Sequence, residues 1–542
     1  MMLQERDRRK TIISAVIVIV LLQCLMLLYW QNLRSNFFVD ELYCFGYASS
    51  FIAPESSYIT DKPEWQCSEW METDGLKGFL KVDSSESLQN LPLKEQLSLL
   101  AGKRTYMGLM NILMYDDGLD ASFFQYAWSA LFLNIWFFLI AELLIAYLIK
   151  ETTGSYELML LGVIMFGFSG IVAGMCEYLR FYMLTIMLML IVICCHFAIW
   201  KDKSVLRCLV FEMIAFVFSY NALMHSELML VTCGTFFCFF FAGLLCRKRW
   251  KQAIVYAVPL LYGVYHYVWE RTNLLDIVMH PADFAGPGTG VAAVTTTLLM
   301  WTPELGWNHA KQIFAVYATK WFGSSLLLGA FVTLLLLCCL FKGRRDDERS
   351  KDSPVRYGGF ILILVLTAFM SFLFNDLTGL VRERYNSFTI VLLMIVLWYM
   401  AGIALKWLDK KRFMLIITVL TMICAVLCQN QENFPYLYIN EKNIRAQIAD
   451  SGGVDNILFN YGNRHSAYDC IANSRDGTRI YAVAPETEPS INNIKEAPDL
   501  FLAWCMRDVS VDTIKIALDG TDYQARQLGS TWINDVYLCS KK

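Results

Sequence analysis

The chain has 542 residues, 56% of them apolar and 14% aromatic, and its mean hydropathy is +0.43. A soluble protein of this length is divided into several domains and carries fewer apolar residues, so the composition indicates a membrane protein. The formal net charge of −3 gives no basic field and therefore no support for nucleic-acid binding.

Apolar runs of about 20 residues, each closed by charged residues, are typical of membrane-spanning helices. The first run follows a basic tail, ends in Tyr29 and Trp30, and lacks a small-residue cleavage site. It is therefore predicted to be a retained anchor and not a cleaved signal peptide. Eleven spans are predicted, at 11–30, 123–149, 156–175, 181–200, 206–223, 228–246, 253–269, 321–341, 358–374, 386–405 and 413–428.

The distribution of Lys and Arg predicts the orientation of these spans. With a cytoplasmic N-terminus, every short Lys/Arg-rich segment between spans falls on the cytoplasmic side, as the positive-inside rule requires. The long first loop, 31–121, and the C-terminal region then lie outside a multi-pass protein of the cell membrane. The loop at 270–320 is long enough to contain a re-entrant pair of helical segments, so the number of spans could differ from eleven by two.

The C-terminal region, 430–542, is polar and follows the predicted transmembrane domain, 1–429. Five segments bounded by Gly, Pro, Asn or Asp are predicted to be strands of a small extracytoplasmic α/β or α+β domain. They are NILFNYG, TRIYAVAP, LFLAWCM, TIKIALDG and NDVYLCS. Disulfide formation on this oxidising side is left open for Cys44, Cys67, Cys470, Cys505 and Cys539.

Charged residues beside the spans are the candidate site residues, because burying them costs energy unless they are paired or functional. Asp40 and Glu41 stand directly after the first span, within FFVDELY. Several short turns bring further charges to the same predicted outer face, as a site for an anionic lipid headgroup requires. These are Asp116, Asp117, Asp120, Glu177, Arg180, His225, Glu227, Lys320, Arg382 and Arg384.

Structural explanations stay open for each of these groups. Asp40 and Glu41 could simply open a solvated loop. Glu177 and Arg180 have the spacing of an ion pair on a helix end. The two arginines at 382 and 384 could be interfacial anchors, and His225 and the DDGLD segment have the character of caps more than of metal ligands.

Three segments resemble motifs of the GT-C membrane glycosyltransferases. They are the Asp-Glu pair after the first span, EYLRFYML at 177–184, and RERYNSF at 382–388. The match is to the bacterial branch related to protein mannosyltransferases and the lipid A aminoarabinose transferase, and it covers roughly residues 1–430. DGLDASFFQY stands where that family often has a His-Pro-Pro-Leu-Tyr-Tyr-like stretch, and the prolines that often follow the late Arg-Tyr are absent.

The resemblance implies an all-α polytopic fold of about 11 spans and a hexosyl or pentosyl transferase. Such an enzyme moves a sugar from a polyprenyl-phosphate donor to an acceptor hydroxyl at the outer face of the bilayer, with inversion. Asp40 matches the first acid of the family pair and is the predicted general base, with Glu41 orienting the acceptor or the base. Arg180, Arg382, Arg384 and, more weakly, Lys320 are predicted to bind the donor phosphate, supported by Glu177, Tyr182, Tyr385 and His225.

No cofactor is predicted, because the Asp-Glu pattern resembles the metal-independent branch. Some GT-C enzymes use a divalent metal, for which Asp40, Asp116 and Glu177 would supply carboxylates. A flippase or transporter of lipid-linked sugars is one alternative function, although the internal repeats and midplane charges typical of transporters are absent from the sequence. An envelope polysaccharide polymerase or ligase is another. The acceptor remains open among protein, lipid and wall polymer, and so does the sugar.

Overall fold

The computed structural model describes residues 2–49, 51, 65–78, 87–102, 105–114, 123–226, 229–265, 300–340, 357–407, 409–459, 463–484 and 486–542. The chain forms two compact units. The helical unit comprises Met1–Leu27, Asn134–Cys176 and Phe181–Asn433. The mixed unit comprises Leu28–Leu133, Glu177–Arg180 and Phe434–Lys542, so it combines the first predicted loop with the C-terminal region.

Long apolar helices make up the helical unit, since a helix satisfies its own backbone hydrogen bonds where no water is available. Side-chain oxygens of Ser155, Ser204 and Asp409 cap the helices that begin at Tyr156, Val205 and Lys410. The helices are α1 Met2–Asn32, α6 Phe123–Thr153, α7 Tyr156–Gly167, α8 Gly170–Glu177, α9 Tyr182–Lys201, α10 Val205–His225, α11 Met229–Cys246, α12 Trp250–Tyr265, α13 Pro303–Val316, α14 Ser325–Leu340, α15 Gly358–Thr378, α16 Glu383–Trp407 and α17 Lys410–Leu427. Three of them, α1, α6 and α8, have residues in both units.

A described helix covers most of each of the eleven predicted spans. Seven helices in the described residues are long and apolar enough to cross a membrane, or up to nine if each of two bent pairs is one span. The bent pairs are α7 with α8, at 49°, and Pro303–Trp321 with Ser325–Thr333, at 88°. The prediction of a multi-pass, all-α membrane protein is thereby confirmed.

The mixed unit is built around one mixed sheet. In the described residues it has six strands, β1 Trp70–Glu72, β2 Asp455–Leu458, β3 Arg479–Ala482, β4 Leu500–Met506, β5 Tyr523–Ser530 and β6 Asn534–Lys541. Their order in the sheet is β1-β3-β2-β4-β6-β5. The central strands β3, β2 and β4 are parallel, and the outer strands pair antiparallel. The predicted small α/β domain is confirmed.

The mixed unit also contains seven described α-helices, four from the first predicted loop and three from the C-terminal region. Its core contains Ile457, Phe501, Ala503 and Cys539, all at 0% exposure. Strands β2, β3 and β4 are buried along nearly all of their length, as is usual for the central parallel strands of a sheet that is covered on both faces. The helices are α2 Val39–Ser49, α3 Thr73–Lys77, α4 Leu93–Gly102, α5 Thr105–Met114, α18 Lys442–Asp450, α19 Arg464–Asn473 and α20 Ser510–Leu518.

One predicted strand, TIKIALDG, was wrong, because most of it lies in helix α20. The buried residues of that helix are Ser510, Ile514 and Ala517, which are four and three positions apart. That spacing defines one face of a helix, whereas a strand buries every second residue. Strand β5 was missed because four of its eight residues are exposed, and three of those four are the polar residues Gln524, Arg526 and Gln527.

The five cysteines for which a disulfide was left open are all free thiols. Cys44, Cys470, Cys505 and Cys539 are buried, and Cys67 is half-buried. In the apolar interior a thiol packs as a small hydrophobic group.

Candidate active site

The Asp-Glu pair lies in the first turn of α2. The peptide N–H of Phe38 donates to Glu41 Oε2 at 2.9 Å. Acidic side chains are favoured here, because the free N–H groups at a helix start carry partial positive charge. The pair therefore begins a helix and does not open a solvated loop.

Glu41 is fully buried and forms an ion pair with an equally buried arginine. Arg34 Nη1 donates to its two carboxylate oxygens at 3.2 and 3.0 Å, and the peptide N–H of Leu179 donates at 2.9 Å. Burial raises the pKa of Glu41, opposed by Arg34 and by the backbone N–H groups of Leu179 and Phe38. Glu41 thus joins the start of α2 to the segment 177–180, and its carboxylate has no open face for a substrate.

Asp40, the neighbouring acid, keeps part of its carboxylate accessible. Its side chain is 23% exposed. Asp40 Oδ2 accepts hydrogen bonds from Arg180 Nη1 at 2.7 Å and from the Tyr178 hydroxyl at 2.8 Å. The structure therefore brings together two of the predicted site residues, the base candidate Asp40 and the phosphate candidate Arg180.

Glu177 lies beside this pair but does not bind Arg180. It is only 1% exposed, and its carboxylate oxygens have no hydrogen-bond partner among the described residues. Its backbone carbonyl accepts from Arg34 Nη2 at 2.5 Å. The expected ion pair between residues 177 and 180 is thus replaced by the pairing of Arg180 with Asp40.

Sequence reasoning missed two residues of this region, Arg34 and Asn36. Asn36 Nδ2 donates to Glu441 Oε2 at 2.6 Å and to Asp469 Oδ1 at 3.0 Å. Arg445 Nη1 donates to the carbonyl of Ser35 at 2.8 Å. The stretch just before Asp40 is therefore held by several bonds to residues from the C-terminal region of the same unit. A polar triplet directly after an apolar span was the only sequence signal for it.

The acids that hold Asn36 are themselves buried. Burial and the nearby charge of Asp469 raise the pKa of Glu441 to about 8. Burial also raises the pKa of Asp469, although hydrogen bonds from Thr531, Asn36, Asn534 and Asn473 oppose the change. Glu441 and Asp469 accept hydrogen bonds from the same amide nitrogen, so the negative charge of one acid disfavours ionisation of the other.

The remaining predicted phosphate-binding cations lie in the helical unit. Arg382 is exposed, and the Arg384 guanidinium lies 4.8 Å from the centre of the Tyr385 ring. Asn386, which is fully buried, donates to the carbonyls of Leu380 and Arg382 and so fixes the turn that leads into α16. Lys320 Nζ donates to the carbonyl of Glu432 at 2.6 Å.

Two more predicted residues occupy helix ends in the same unit. Tyr182 begins α9, is 4% exposed and stacks on Phe181 at 4.8 Å. His225 ends α10, where its Nδ1 lies 2.8 Å from the carbonyl of Asn221 and its ring lies 5.6 Å from Phe181. This position suits the cap that the sequence indicated for His225.

The acids considered as metal ligands are only partly described. Asp116, Asp117, Asp120 and Glu227 lie outside the described residues. Among the residues that the structure does describe, no three His, Cys, Asp or Glu side chains converge as a metal site.

Long apolar helices joined to a small mixed sheet give this chain the GT-C fold, as the motifs predicted. Two solved structures that share it are of ArnT from Cupriavidus metallidurans. One is in the apo state, with a TM-score of 0.51 and 11% identity, and one is bound to undecaprenyl phosphate, with a TM-score of 0.50 and 10% identity. Each likeness covers 96% of this chain and 97% of the other. No family profile and no curated protein sequence matches the chain.

Proposed function

We propose that this chain is a membrane glycosyltransferase that uses a polyprenyl-phosphate-linked sugar as donor. One observation carries the proposal: a partly exposed aspartate, Asp40, is ion-paired to Arg180 in a GT-C fold. This reaction needs two groups: a carboxylate that accepts a proton and a guanidinium that binds a phosphate. A structure of ArnT, which shares the fold, is bound to undecaprenyl phosphate.

The proposed reaction is a single displacement with a hexosyl or pentosyl donor. Asp40 takes the proton of the acceptor hydroxyl as that oxygen bonds to the anomeric carbon. The bond between this carbon and the phosphate oxygen breaks, and its electron pair leaves with the lipid phosphate. One displacement inverts the anomeric configuration, and a phosphate leaving group needs no general acid.

Arg180 has two successive partners in this proposal. Without donor it neutralises Asp40 at 2.7 Å. A donor phosphate competes for the same guanidinium, since guanidinium groups bind phosphate bidentately, and the departing lipid phosphate is stabilised there as its charge grows. Arg382, Arg384 and Lys320 remain proposed phosphate-binding residues on the strength of their motif, as do Tyr182, Tyr385 and His225 as supporting residues.

The burial of Glu41 favours one of its two possible roles. A side chain with 0% exposure that is bound by Arg34 and two backbone N–H groups cannot contact an acceptor. It holds the first turn of α2 in place, and so orients the neighbouring base. Glu177 supports the same turn through its carbonyl bond to Arg34.

The proposal also includes location. The N-terminus is placed in the cytoplasm and the mixed unit on the outer face, from the Lys and Arg distribution. A cysteine introduced at Ser540, in a variant without other exposed cysteines, should react with an impermeant thiol reagent on intact cells. Reaction only after permeabilisation would reverse this orientation.

The test of function uses purified full-length protein in nanodiscs with radiolabelled polyprenyl-phosphate sugars. Wild-type protein should release or transfer the label from at least one hexosyl or pentosyl donor, and Asp40→Asn should not. Asp512→Asn changes an exposed aspartate of the mixed unit and serves as the matched control. Turnover by the Asp40→Asn protein equal to wild type would reject Asp40 as the base.

A further inference from the structure

Four aromatic rings form a continuous arc in the mixed unit, which we call the aromatic arc. The ring of Tyr43 lies 6.3 Å from His465, His465 lies 6.1 Å from Trp532, and Trp532 lies 5.5 Å from Phe38. These centroid distances are typical of aromatic contacts. Phe38 directly precedes α2 and Tyr43 lies within it, His465 lies at the start of α19, and Trp532 lies in the turn between β5 and β6. The fold thus assembles the arc from three separate stretches of the chain.

The arc adjoins the candidate base. Phe38 and Tyr43 lie two residues before and three residues after Asp40, and Tyr43 shares its face of α2. Phe38 also meets the ring of Tyr178, whose hydroxyl donates to Asp40. The charge of Asp40 acts on His465, where it partly opposes the lowering of the pKa by burial. These observations place Phe38 and His465 close to the Asp40 carboxylate.

The arc is not a closed core. Phe38, Tyr43 and Trp532 are half-buried, and His465 is exposed. Partly exposed rings next to a polar group form surfaces for ligands that have both apolar and polar parts.

Charge narrows the class of ligand. Burial lowers the pKa of His465, so this ring is neutral near pH 7. Asp40 would repel an anionic acceptor, and the cation beside it, Arg180, is paired with Asp40 or, in the proposed reaction, with the donor phosphate. A purely apolar chain carries no hydroxyl group that could lose its proton to the partly exposed Asp40 carboxylate. A sugar ring, in contrast, offers an apolar C–H face to aromatic rings and hydroxyl groups to a carboxylate.

We propose that the aromatic arc is the acceptor subsite and that it binds a neutral carbohydrate ring, with one hydroxyl directed to Asp40. This inference rests on the proposed function for the role of Asp40 as base. It narrows the acceptor from protein, lipid or wall polymer to a glycan.

The test is saturation-transfer NMR on the full chain in nanodiscs. The probes are four soluble neutral tetrasaccharides, of β-glucose, α-glucose, mannose and N-acetylglucosamine, beside a Ser/Thr hexapeptide and glycerol phosphate. At least one sugar should receive saturation at its ring C–H protons. Trp532→Ala should weaken its binding about tenfold, the usual loss for one stacked ring, and Trp532→Phe should largely restore it.

Controls separate the arc from general damage. Trp70→Ala removes a tryptophan of the same unit that lies on β1, and it should leave sugar binding unchanged. If Trp532→Ala fails to fold, His465→Ala tests the exposed ring of the arc instead. No saturation of any sugar by wild type, or equal binding by the arc variants, would overturn the inference.

The competing acceptors have their own signatures. Arc-dependent binding of the peptide in place of the sugars would indicate a protein acceptor, and glycerol phosphate binding that is lost in Arg464→Ala would indicate an anionic one. Either result rejects the carbohydrate subsite. Release of label from the donor without any acceptor, measured on the same samples, tests the proposed function separately, since it depends on Asp40 and Arg180 but not on Trp532.

Discussion

Two charged segments at the heads of helices follow different designs in this molecule. In the mixed unit the start of α2 buries its charges in a pair, Arg34 with Glu41, and leaves Asp40 partly open. In the helical unit the turn before α16 buries a neutral amide, Asn386, and keeps Arg382 exposed. The first design fixes one carboxylate in place, whereas the second keeps a cation accessible. Substitutions in the first should affect folding and turnover, and those in the second should affect ligand binding.

The largest expected effect is on turnover at the open acid. Asp40→Asn keeps the size of the side chain and removes its basicity, so turnover should fall by ~10²–10⁴, the usual loss for a general base. Donor binding should change little, because the phosphate is held by cations. The two are measured together as label release and as binding of polyprenyl phosphate. Weaker donor binding with normal turnover would show that Asp40 acts in donor binding and not as the base.

The next largest effect should be on stability at the buried pair. Arg34→Met leaves the Glu41 carboxylate buried without its cation, which should cost about 3–5 kcal/mol of unfolding free energy. The measurement is thermal unfolding of the protein in detergent. Lys77→Met, which removes a pair with the exposed Asp476, is the matched control and should cost less than about 1 kcal/mol. If both variants lost the same free energy of unfolding, the buried Arg34–Glu41 pair would be no more important for stability than an exposed ion pair.

A smaller effect is expected from pH at the acids that hold Asn36. Glu441 has a pKa of about 8 in the folded protein and an ordinary value of 4.5. Between these values the folded state holds a proton that the unfolded chain has released, so stability should fall as pH rises through this window. The loss should be roughly 1–3 kcal/mol, followed as melting temperature against pH. Glu441→Gln should flatten the profile, and an unchanged slope would remove Glu441 as its source.

The smallest effect is expected at Arg384, in the first turn of α16. Arg384→Ala should weaken binding of polyprenyl phosphate about tenfold, since one of several cations around a phosphate is lost. Stability should stay close to wild type, in contrast to Arg34→Met. Arg384→Lys should recover part of the affinity, because charge is kept and the bidentate geometry is lost. A large drop in melting temperature would assign Arg384 a structural role.

Much of the fold could be predicted because its determinants are local. Apolar runs of span length predicted the helices, and short segments bounded by Gly, Pro, Asn or Asp predicted four of the strands. The strand β1 has only three residues, Trp70–Glu72, and no apolar pattern of its own, because pairing with β3 is what makes it a strand. Local pattern cannot show an interaction between residues so distant in the chain.

The site divides in the same way. Asp40 and Arg180 could be predicted because each lies in a short motif. Their ion pair could not, because the segment that holds Arg180 and Tyr178 is far from Asp40 in the chain; Tyr178 is 138 positions from it. Arg34 was missed because its partners, Glu41 and the carbonyl of Glu177, become visible only in three dimensions. The sequence supplied the reactive groups, and their mutual geometry required the fold.

The pairing of β1 with β3 has a consequence for biosynthesis. Glu72 pairs with Arg479, so β1 cannot join the sheet until a stretch more than 400 residues further along the chain has been synthesised. At a translation rate of about 5–20 residues per second, this delay lasts roughly 20–80 seconds. During that time the segment around Asp40 also lacks Glu441 and Asp469, the partners of Asn36. A nascent chain would therefore remain inactive until synthesis is nearly finished, and ribosome stalling before β3 should yield an anchored but unassembled intermediate open to proteases.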